Sequence, residues 1–352
     1  MKQRLFVVAA GQVIIMDTWK NKASGPLHLI HLGYGAGSFL VPQIVAPFIS
    51  NQLPATEETI SNPSCAIGAA VSNMSNATNS TTPTLTPSEN LAHGFWIVSA
   101  IIVVISGLWF GYFFFDKSKA DEGAGGQAKD LNLKQIFNPN TCSPGYPVYA
   151  VLLYVLMFMW VYTAVAGKSI FAKYLYSYAR EQACMSKQEA TTILTAYWIS
   201  FTVGRFAGFI VTNFVPMKIF IFVEGSGNFM SAIVLYFFSS NKWVLWACVC
   251  ISGIFIGPCY PSGLAWANRY MLVTAVGVTI LSISAGVSDL TFLPGVGSTI
   301  DRIGISAMTI FVLGFGVVCC VLPIFMQSVA CYRGDRFERK EKEDNVNQEN
   351  NH

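Results

Sequence analysis

The dominant pattern along this chain is a series of long apolar runs separated by short polar segments. Each of eight runs is close to the roughly 20 residues that an α-helix needs to cross the hydrocarbon core of a membrane. No period-two alternation recurs at the spacing of a transmembrane β-barrel, so helices are favoured. The pattern predicts an all-α membrane protein with spans at residues 27–49, 91–115, 146–172, 190–214, 217–238, 243–267, 270–293 and 303–329.

Two connections are much longer than the others and divide the chain. One covers residues 50–90, and the other covers residues 116–145, where a Gly-Ala-Gly-Gly stretch is typical of a flexible linker. An apolar patch at residues 5–16 is too short to span a membrane and resembles the cut end of a helix. The predicted domains are a partial N-terminal bundle with this stub, two spans and a glycosylatable extracellular loop (1–115), a cytoplasmic linker (116–145), a C-terminal six-helix bundle (146–330) and a disordered cytoplasmic tail (331–352).

Two independent signals predict the orientation in the membrane. The 50–90 loop carries three glycosylation sequons, at Asn73, Asn76 and Asn79, and glycosylation would place it outside. The segments on the opposite side hold thirteen Lys and Arg residues, against four in the outer segments. Because cytoplasmic loops are enriched in Lys and Arg, both signals put the 116–145 linker in the cytosol.

Composition supports lipid as the main solvent. Hydrophobic residues make up 53% of the chain and charged residues 12%, whereas soluble domains have about 25% charged residues. The net charge of +3 is small, and the charged tail has no excess of Lys and Arg over Asp and Glu, so the charge gives no support to the clustered basic face of a nucleic-acid-binding protein. Most of the nine cysteines lie inside apolar runs and do not suggest a metal site. Cys65 and Cys184 are both predicted outside, as a disulfide or as two free thiols.

Two stretches resemble a known family. Residues 19–42, WKNKASGPLHLIHLGYGAGSFLVP, with APF at 46–48, resemble the fourth and fifth helices of the sodium-dependent glucose transporter family. Residues 257–270, GPCYPSGLAWANRY, resemble its tenth helix and cytoplasmic exit. The family includes the major facilitator superfamily domain-containing protein 4 group and is related to fucose permeases, and the likeness runs from about Gln12 to Cys331.

This resemblance implies a major facilitator superfamily helical bundle. A full member has twelve helices, and this sequence resembles one that begins within the fourth. The expected architecture is therefore an incomplete N-terminal half followed by a complete six-helix C-terminal half. The family's polar positions on the first three helices have no counterpart here.

Ionisable residues inside spans are costly and are functional hypotheses by default. Arg205 and Glu224 lie at similar depth on the two arms of a helical hairpin, at 1.5 Å rise per residue. They predict an ion pair that either fixes the hairpin or breaks and re-forms during transport. Lys168 and Asp289, toward the outer ends of their spans, form a second candidate pair.

A sugar site needs hydrogen-bonding side chains and an aromatic face near the bilayer midplane. His28 and His31 lie at the cytoplasmic entrance of their span, where solvated or capping histidines are commoner than proton relays. Most aromatic residues are expected to be packing or interface residues. The candidate substrate-binding residues are Gln43, Trp160, Tyr162, Glu224 and Asn228.

Small residues and prolines within the spans predict close packing and one break. Gly204 and Gly208, like Gly253 and Gly257, lie one turn apart and would allow two helices to approach closely. Pro258 and Pro261 interrupt the helical hydrogen-bond ladder, which is tolerated where backbone lines a cavity or neighbours satisfy it. We expect a helix break in this span.

The predicted function is secondary active or facilitative transport of a glucose-like monosaccharide by alternating access. Sodium is the candidate coupling ion by resemblance alone, and no other cofactor or metal is predicted. The alternative is a truncated, transport-inactive membrane protein or a fragmentary gene product. An enzyme would need catalytic arrangements within the spans, and the sequence contains none, so no catalytic residue is predicted. The predicted partners are a small sugar and the lipid bilayer, without nucleic acid, and the predicted location is the plasma membrane.

Overall fold

The computed structural model describes residues 2–49, 89–115, 142–239 and 241–349. Within these ranges the chain is α-helical, with one short 3-10 helix at Lys20–Lys22 and no β-strand, which confirms the all-α prediction. The helices are α1 (Lys2–Trp19), α2 (Ser24–Ile49), α3 (Glu89–Phe115), α4 (Pro147–Glu181), α5 (Lys187–Val211), α6 (Met217–Phe237), α7 (Lys242–Ile256), α8 (Cys259–Tyr270), α9 (Ala275–Ile303), α10 (Ala307–Cys331) and α11 (Arg336–Glu349).

Six segments of the described chain are long and apolar enough to cross a membrane. They match the last six predicted spans in order. The first two predicted spans coincide with helices α2 and α3, and α3 contains a shorter apolar segment, His93–Leu108. The six segments are Pro147–Glu181, Lys187–Val211, Met217–Phe237, Lys242–Tyr270, Ala275–Ile303 and Ala307–Lys342.

The structure differs from the predicted boundaries at three places. Helix α9 continues to Ile303, beyond the predicted end at residue 293. Helix α4 continues to Glu181, beyond the predicted end at residue 172, because hydropathy marks only the part of a helix that lies in hydrocarbon. The tail, predicted to be disordered, contains helix α11. Its charges alternate in sign, with Glu338 four residues before Lys342, a spacing that stabilises an exposed helix.

The described chain divides into two compact units. One consists of Met1–Ala36 and Phe137–His352, and the other of Gly37–Ile136, so the boundary falls within α2. In the first unit, α6 packs extensively against α10, α5 against α7, and α4 against both α9 and α10. Its interior contains two apolar clusters, one around Trp160 and Trp266 and the other around Tyr178 and Tyr197.

Local sequence signals explain where several helices begin. At the start of α5, Ser186 Oγ accepts from Glu189 N at 3.2 Å while Glu189 Oε2 accepts from Ser186 N at 2.7 Å, a capping box. Asn241 caps α7 by accepting from Trp243 N at 2.9 Å. Pro147 occupies the first turn of α4, where its missing N–H is not needed. These caps satisfy N–H groups that would otherwise lack partners.

Several predicted features lie outside the described residues. The glycosylation sites Asn73, Asn76 and Asn79, together with Cys65, are among them, as is most of the 116–145 linker. Gln43 belongs to α2, but its side chain is outside the described part of the chain. Cys184 is disulfide-bonded, whereas the seven other described cysteines are free.

Candidate functional site

The break between α7 and α8 is the most unusual backbone feature in the six-helix bundle. Helix α7 ends at Ile256 and α8 begins at Cys259, as the two prolines predicted. Pro261 has no N–H for the carbonyl of Gly257, four residues earlier. That carbonyl instead accepts a hydrogen bond from Arg205 Nε at 2.9 Å. A side chain from α5 therefore replaces the missing backbone donor.

Arg205 is buried and connects three helices. Besides the Gly257 carbonyl, its Nη1 donates to the carbonyl of His31 in α2. Its guanidinium carbon lies 4.4 Å from the ring centre of Phe201 and 5.2 Å from that of Tyr34. Carbonyl oxygens and aromatic faces both stabilise a cation. Arg205 is thus held without a carboxylate partner among the described residues.

The predicted ion pair between Arg205 and Glu224 is absent from this structure. Glu224, on α6, is 1% exposed, and its Oε2 lies 2.6 Å from Ser262 Oγ of α8, within hydrogen-bond distance. Its other oxygen, Oε1, has no hydrogen-bond partner among the described residues. The depths of the two residues are compatible with a pair, but Arg205 is directed to the carbonyls beside the break and Glu224 to the first turn of α8.

The second predicted pair, Lys168 with Asp289, is also absent. Lys168 Nζ donates to Tyr34 OH at 3.4 Å, whereas Asp289 Oδ1 accepts from Ser169 Oγ at 2.5 Å. Neighbouring positions on an α-helix point about 100° apart, because a turn contains 3.6 residues. Residue 169 of α4 therefore faces Asp289 on α9, and residue 168 does not.

Three of the five candidate sugar-binding residues meet at the start of α8. Trp160 Nε1 donates to the Cys259 carbonyl at 2.8 Å, and Glu224 Oε2 lies within hydrogen-bond distance of Ser262 Oγ. Asn228 Nδ2 lies 3.9 Å from Cys259 Sγ and donates to the Glu224 carbonyl at 3.1 Å. Tyr162 is not part of this group.

Two of the candidates are engaged in other contacts in this conformation. Trp160 is fully buried, and a Cβ at Gly263 would meet its indole at 2.7 Å, so no face of the ring is open. Tyr162 lies on another side of α4, where its hydroxyl is 3.0 Å from Thr291 Oγ1 of α9. The structure thus provides a polar cluster but no aromatic platform beside it.

A small cavity lies beside this cluster. Its free volume is about 20 Å³, enough for about one water molecule. Ligand pockets usually measure about 300 Å³ or more, so this cavity is too small for a sugar in this state. The cavity is lined mainly by apolar atoms, and its lining includes Asn228, Ser252, Cys259, Gly316 and Cys319.

A second polar cluster, which the sequence analysis did not identify, surrounds the two histidines of α2. His28 is fully buried against Gly208 and Phe220, and neither ring nitrogen has a hydrogen-bond partner among the described residues. His31 Nε2 lies 3.1 Å from Nε2 of the buried Gln12. We expected solvated or capping histidines here. Their spacing of three residues, which places both on one helical face, was the available signal.

A third polar group joins the predicted cytoplasmic ends of several elements. Asn268, near the end of α8, donates to the Lys20 carbonyl at 3.1 Å and accepts from Arg336 Nη2 of α11, also at 3.1 Å. The neighbouring Arg269 forms an ion pair with Asp335 at 2.9 Å. These contacts explain why the tail next to the bundle is ordered into a helix.

Comparison with solved structures identifies the architecture. A transporter named FucP, in its outward conformation, matches with a TM-score of 0.53 at 15% sequence identity over 91% of this chain and 86% of the other. A structure of the E. coli fucose:proton symporter FucP matches with a TM-score of 0.52 at 14% identity over 92% of each chain. The fold is that of the major facilitator superfamily.

Sequence relatives of this chain are distant, and no family model matches it. Sodium-dependent glucose transporter 1A of Mus musculus is 21% identical over 83% of this chain and 64% of its own length. Sodium-dependent glucose transporter 1 of Danio rerio is 23% identical over 80% of this chain and 44% of its own length. Major facilitator superfamily domain-containing protein 4A of Mus musculus is 22% identical over 85% of this chain and 66% of its own length. The chain thus spans between about half and two-thirds of the length of these relatives.

These relatives confirm the resemblance predicted from the two sequence stretches. With its six apolar segments, this chain is a multi-pass membrane protein. Both stretches contribute to the clusters described above. Residues 19–42 supply His28, His31 and the Lys20 carbonyl, and residues 257–270 supply the helix break and Ser262.

Proposed function

We propose that this chain is part of a secondary transporter that moves a monosaccharide across the membrane by alternating access. The observation that carries the proposal is the buried polar cluster at the α7–α8 break, formed by Arg205, Glu224, Asn228 and Ser262. Polar groups at membrane depth are costly, and in transporters they line substrate and ion pathways at interrupted helices. A purely structural bundle would not need them.

The substrate class follows from the relatives. Several are named sodium-dependent glucose transporters, and one of the similar structures is a fucose:proton symporter. A glucose-like or fucose-like monosaccharide is therefore the substrate to test. The names of the sequence relatives make a sodium gradient the first driving force to measure, followed by a proton gradient.

The small cavity is compatible with one closed state of such a cycle. The cavity that Asn228 lines has a free volume of only about 20 Å³, so a sugar gains access to Asn228 only after helices separate. In an alternating-access cycle, bundles move about a fixed site so that it opens to one side at a time. The break at Gly257 and Pro258, between α7 and α8, provides a place where such bending is localised.

Uptake of labelled sugar by cells that display the chain at their surface tests the proposal. We expect uptake of glucose or fucose above that of untransfected cells. Asn228→Ala should lower the initial rate about tenfold at equal surface amount, because a lost hydrogen bond of about 1.4 kcal/mol corresponds to that factor.

The matched control is Asn213→Ala, since Asn213 is exposed at the end of α5 and bonds only to the Phe209 and Ile210 carbonyls among the described residues. It should transport as the unmodified chain does. Surface-displayed protein that moves none of the sugars tested would contradict the proposed function. Equal rates for Asn228→Ala and the control would remove Asn228 from the site.

A further inference from the structure

Glu224 is a buried acidic group with no Lys or Arg paired to it among the described residues. It is 1% exposed. In the described part of the chain, ion pairs join Lys242 to Glu189 and Arg269 to Asp335, and none involves Glu224. Leaving an isolated carboxylate in such surroundings costs many kcal/mol, and a buried acid commonly becomes neutral instead. The local geometry must therefore neutralise the group or supply a counter-charge.

The single hydroxyl proton of Ser262 favours a neutral Glu224 carboxyl group. Its Oγ lies 2.6 Å from Glu224 Oε2, 2.9 Å from the Pro258 carbonyl and 3.2 Å from the Cys259 carbonyl. A serine hydroxyl has one proton, so it cannot donate to three acceptors at once. If Glu224 is a carboxylic acid, its O–H donates to Ser262 Oγ, and the serine proton remains for the Pro258 carbonyl.

The orphaned oxygen supports the same protonation state. Glu224 Oε1 has no hydrogen-bond partner in the described part of the chain. In a carboxylate that oxygen carries about half of a negative charge, whereas in a neutral acid it is a carbonyl oxygen. An unmade hydrogen bond is more expensive for a charged group than for a neutral one.

The elements packed around Glu224 offer no compensating charge. Helices α7, α8 and α10 pack against α6. The titratable groups near it on these helices are the thiols of Cys259 on α8 and Cys319 on α10, and a thiol carries no positive charge. Ser252 Oγ of α7 lies 2.7 Å from Ser231 Oγ and is engaged with it. Asn228, which lies on α6 together with Glu224, donates to the Glu224 carbonyl. The hydrogen bonds of Arg205 go to backbone carbonyls.

We propose that Glu224 is a neutral carboxylic acid in this conformation and that its proton is the cation exchanged during transport. The second half of this statement rests on the proposed function and names its coupling ion. When the cluster opens to water, the Glu224 carboxyl transfers its proton to a water molecule, which leaves a carboxylate and a hydronium ion. The reverse transfer on the other side of the membrane restores the acid.

Infrared spectroscopy of the purified full chain tests the protonation state without requiring transport. The unmodified protein at neutral pH should show a carboxylic acid C=O band that is lost in Glu224→Gln. Glu189→Gln is the matched control, because Glu189 is half-exposed and paired with Lys242. It should keep the band. A folded Glu224→Gln protein with the same carboxylic acid band as the unmodified protein would overturn the proposal.

Transport in proteoliposomes tests the exchange of the proton. We expect sugar accumulation driven by a proton gradient, its loss in Glu224→Gln, and residual sugar exchange in that variant at a rate independent of pH. Ser262→Ala, which keeps the carboxyl group but removes its partner, should displace the midpoint of the pH profile. Wild-type pH profiles in both variants would overturn the proposal.

The remaining outcomes separate this proposal from the proposed function. Accumulation that follows a sodium gradient and ignores a proton gradient would make sodium the coupling ion and overturn the proton assignment. If the unmodified protein moves no sugar under any gradient, the proposed function and the coupling half of this proposal both fail. The infrared band still decides whether Glu224 is protonated.

Discussion

At Gly204, helices α5 and α7 approach so closely that no side chain fits between them. A Cβ there would clash with the backbone carbonyl oxygen of Ile254. Gly257, on the other helix, is in the same situation with the Phe201 carbonyl. Small residues one turn apart allow such backbone contact, and Gly204, Gly253 and Gly257 fulfil that role here, whereas Gly208 lies against the His28 ring of α2. The approach also brings Arg205 next to the break.

Gly204→Ala should destabilise the protein, since the added methyl group meets backbone, which cannot rotate away. Overpacking of this kind costs about 1–3 kcal/mol, and we expect the detergent-solubilised protein to lose its monodisperse chromatographic peak at a temperature several degrees lower. Gly286→Ala is the matched control, because no described atom lies within 4 Å of a Cβ at that position. Equal thermal stability of the two variants would contradict the close contact.

At the scale of elements, the break between α7 and α8 links helix geometry to the polar cluster. Because Pro261 leaves the Gly257 carbonyl without a backbone donor, Arg205 is fixed beside it. The same turn of α8 presents Ser262 to Glu224 and the Cys259 carbonyl to Trp160. One interruption in one helix therefore organises side chains from α4, α5 and α6.

Pro261→Ala should make the α7–α8 segment more continuous, because it restores an N–H for the Gly257 carbonyl. We expect equal or higher thermal stability together with slower sugar uptake at equal surface amount, since bending at this point becomes more costly. Pro294→Ala changes a proline inside α9 and serves as the control, with uptake close to that of the unmodified chain. Wild-type uptake by Pro261→Ala would show that the break is not needed for transport.

At the scale of the whole molecule, the distribution of charge predicts how the chain lies in the membrane. Arg269, Arg333 and Arg336 lie at one end of the six-helix unit, where they contact Asp335, Ser143 and Asn268 respectively. Lys187 and Lys242, at the starts of α5 and α7, belong to the other end. This asymmetry agrees with a cytoplasmic location for α11.

The orientation predicts glycosylation of the 50–90 loop in a eukaryotic host. The expressed chain should migrate faster on a gel after endoglycosidase treatment, and this shift should vanish when Asn73, Asn76 and Asn79 are all replaced by Gln. A cysteine placed at Arg302 should react with a membrane-impermeant maleimide in intact cells, and one placed at Arg336 should not. The reverse labelling pattern would overturn the orientation.

Much of the fold could be predicted because it depends on local properties. Helix length and hydropathy add up along the chain, so the last six spans were predicted in the correct order, although the predicted ends of α4 and α9 fell short of the observed ends at Glu181 and Ile303. The same logic failed at α11, where contacts of Asp335 and Arg336 with α8 order a charged segment that composition predicts to be disordered. The prediction from hydropathy also ended α4 too early, because hydropathy indicates which part of a helix lies in hydrocarbon and not where the helix itself ends.

The sequence by itself determined the membrane location, the helical class, the break at Pro258 and Pro261, and the family resemblance. Only the tertiary structure decided which polar groups meet. Arg205 and Glu224 share a depth that their numbering reveals, but a contact also depends on the direction in which each side chain leaves its helix and on which helices lie alongside. Those directions place Arg205 on carbonyls and Glu224 on Ser262, because packing of the whole bundle, rather than spacing along one helix, sets the neighbours of each side chain.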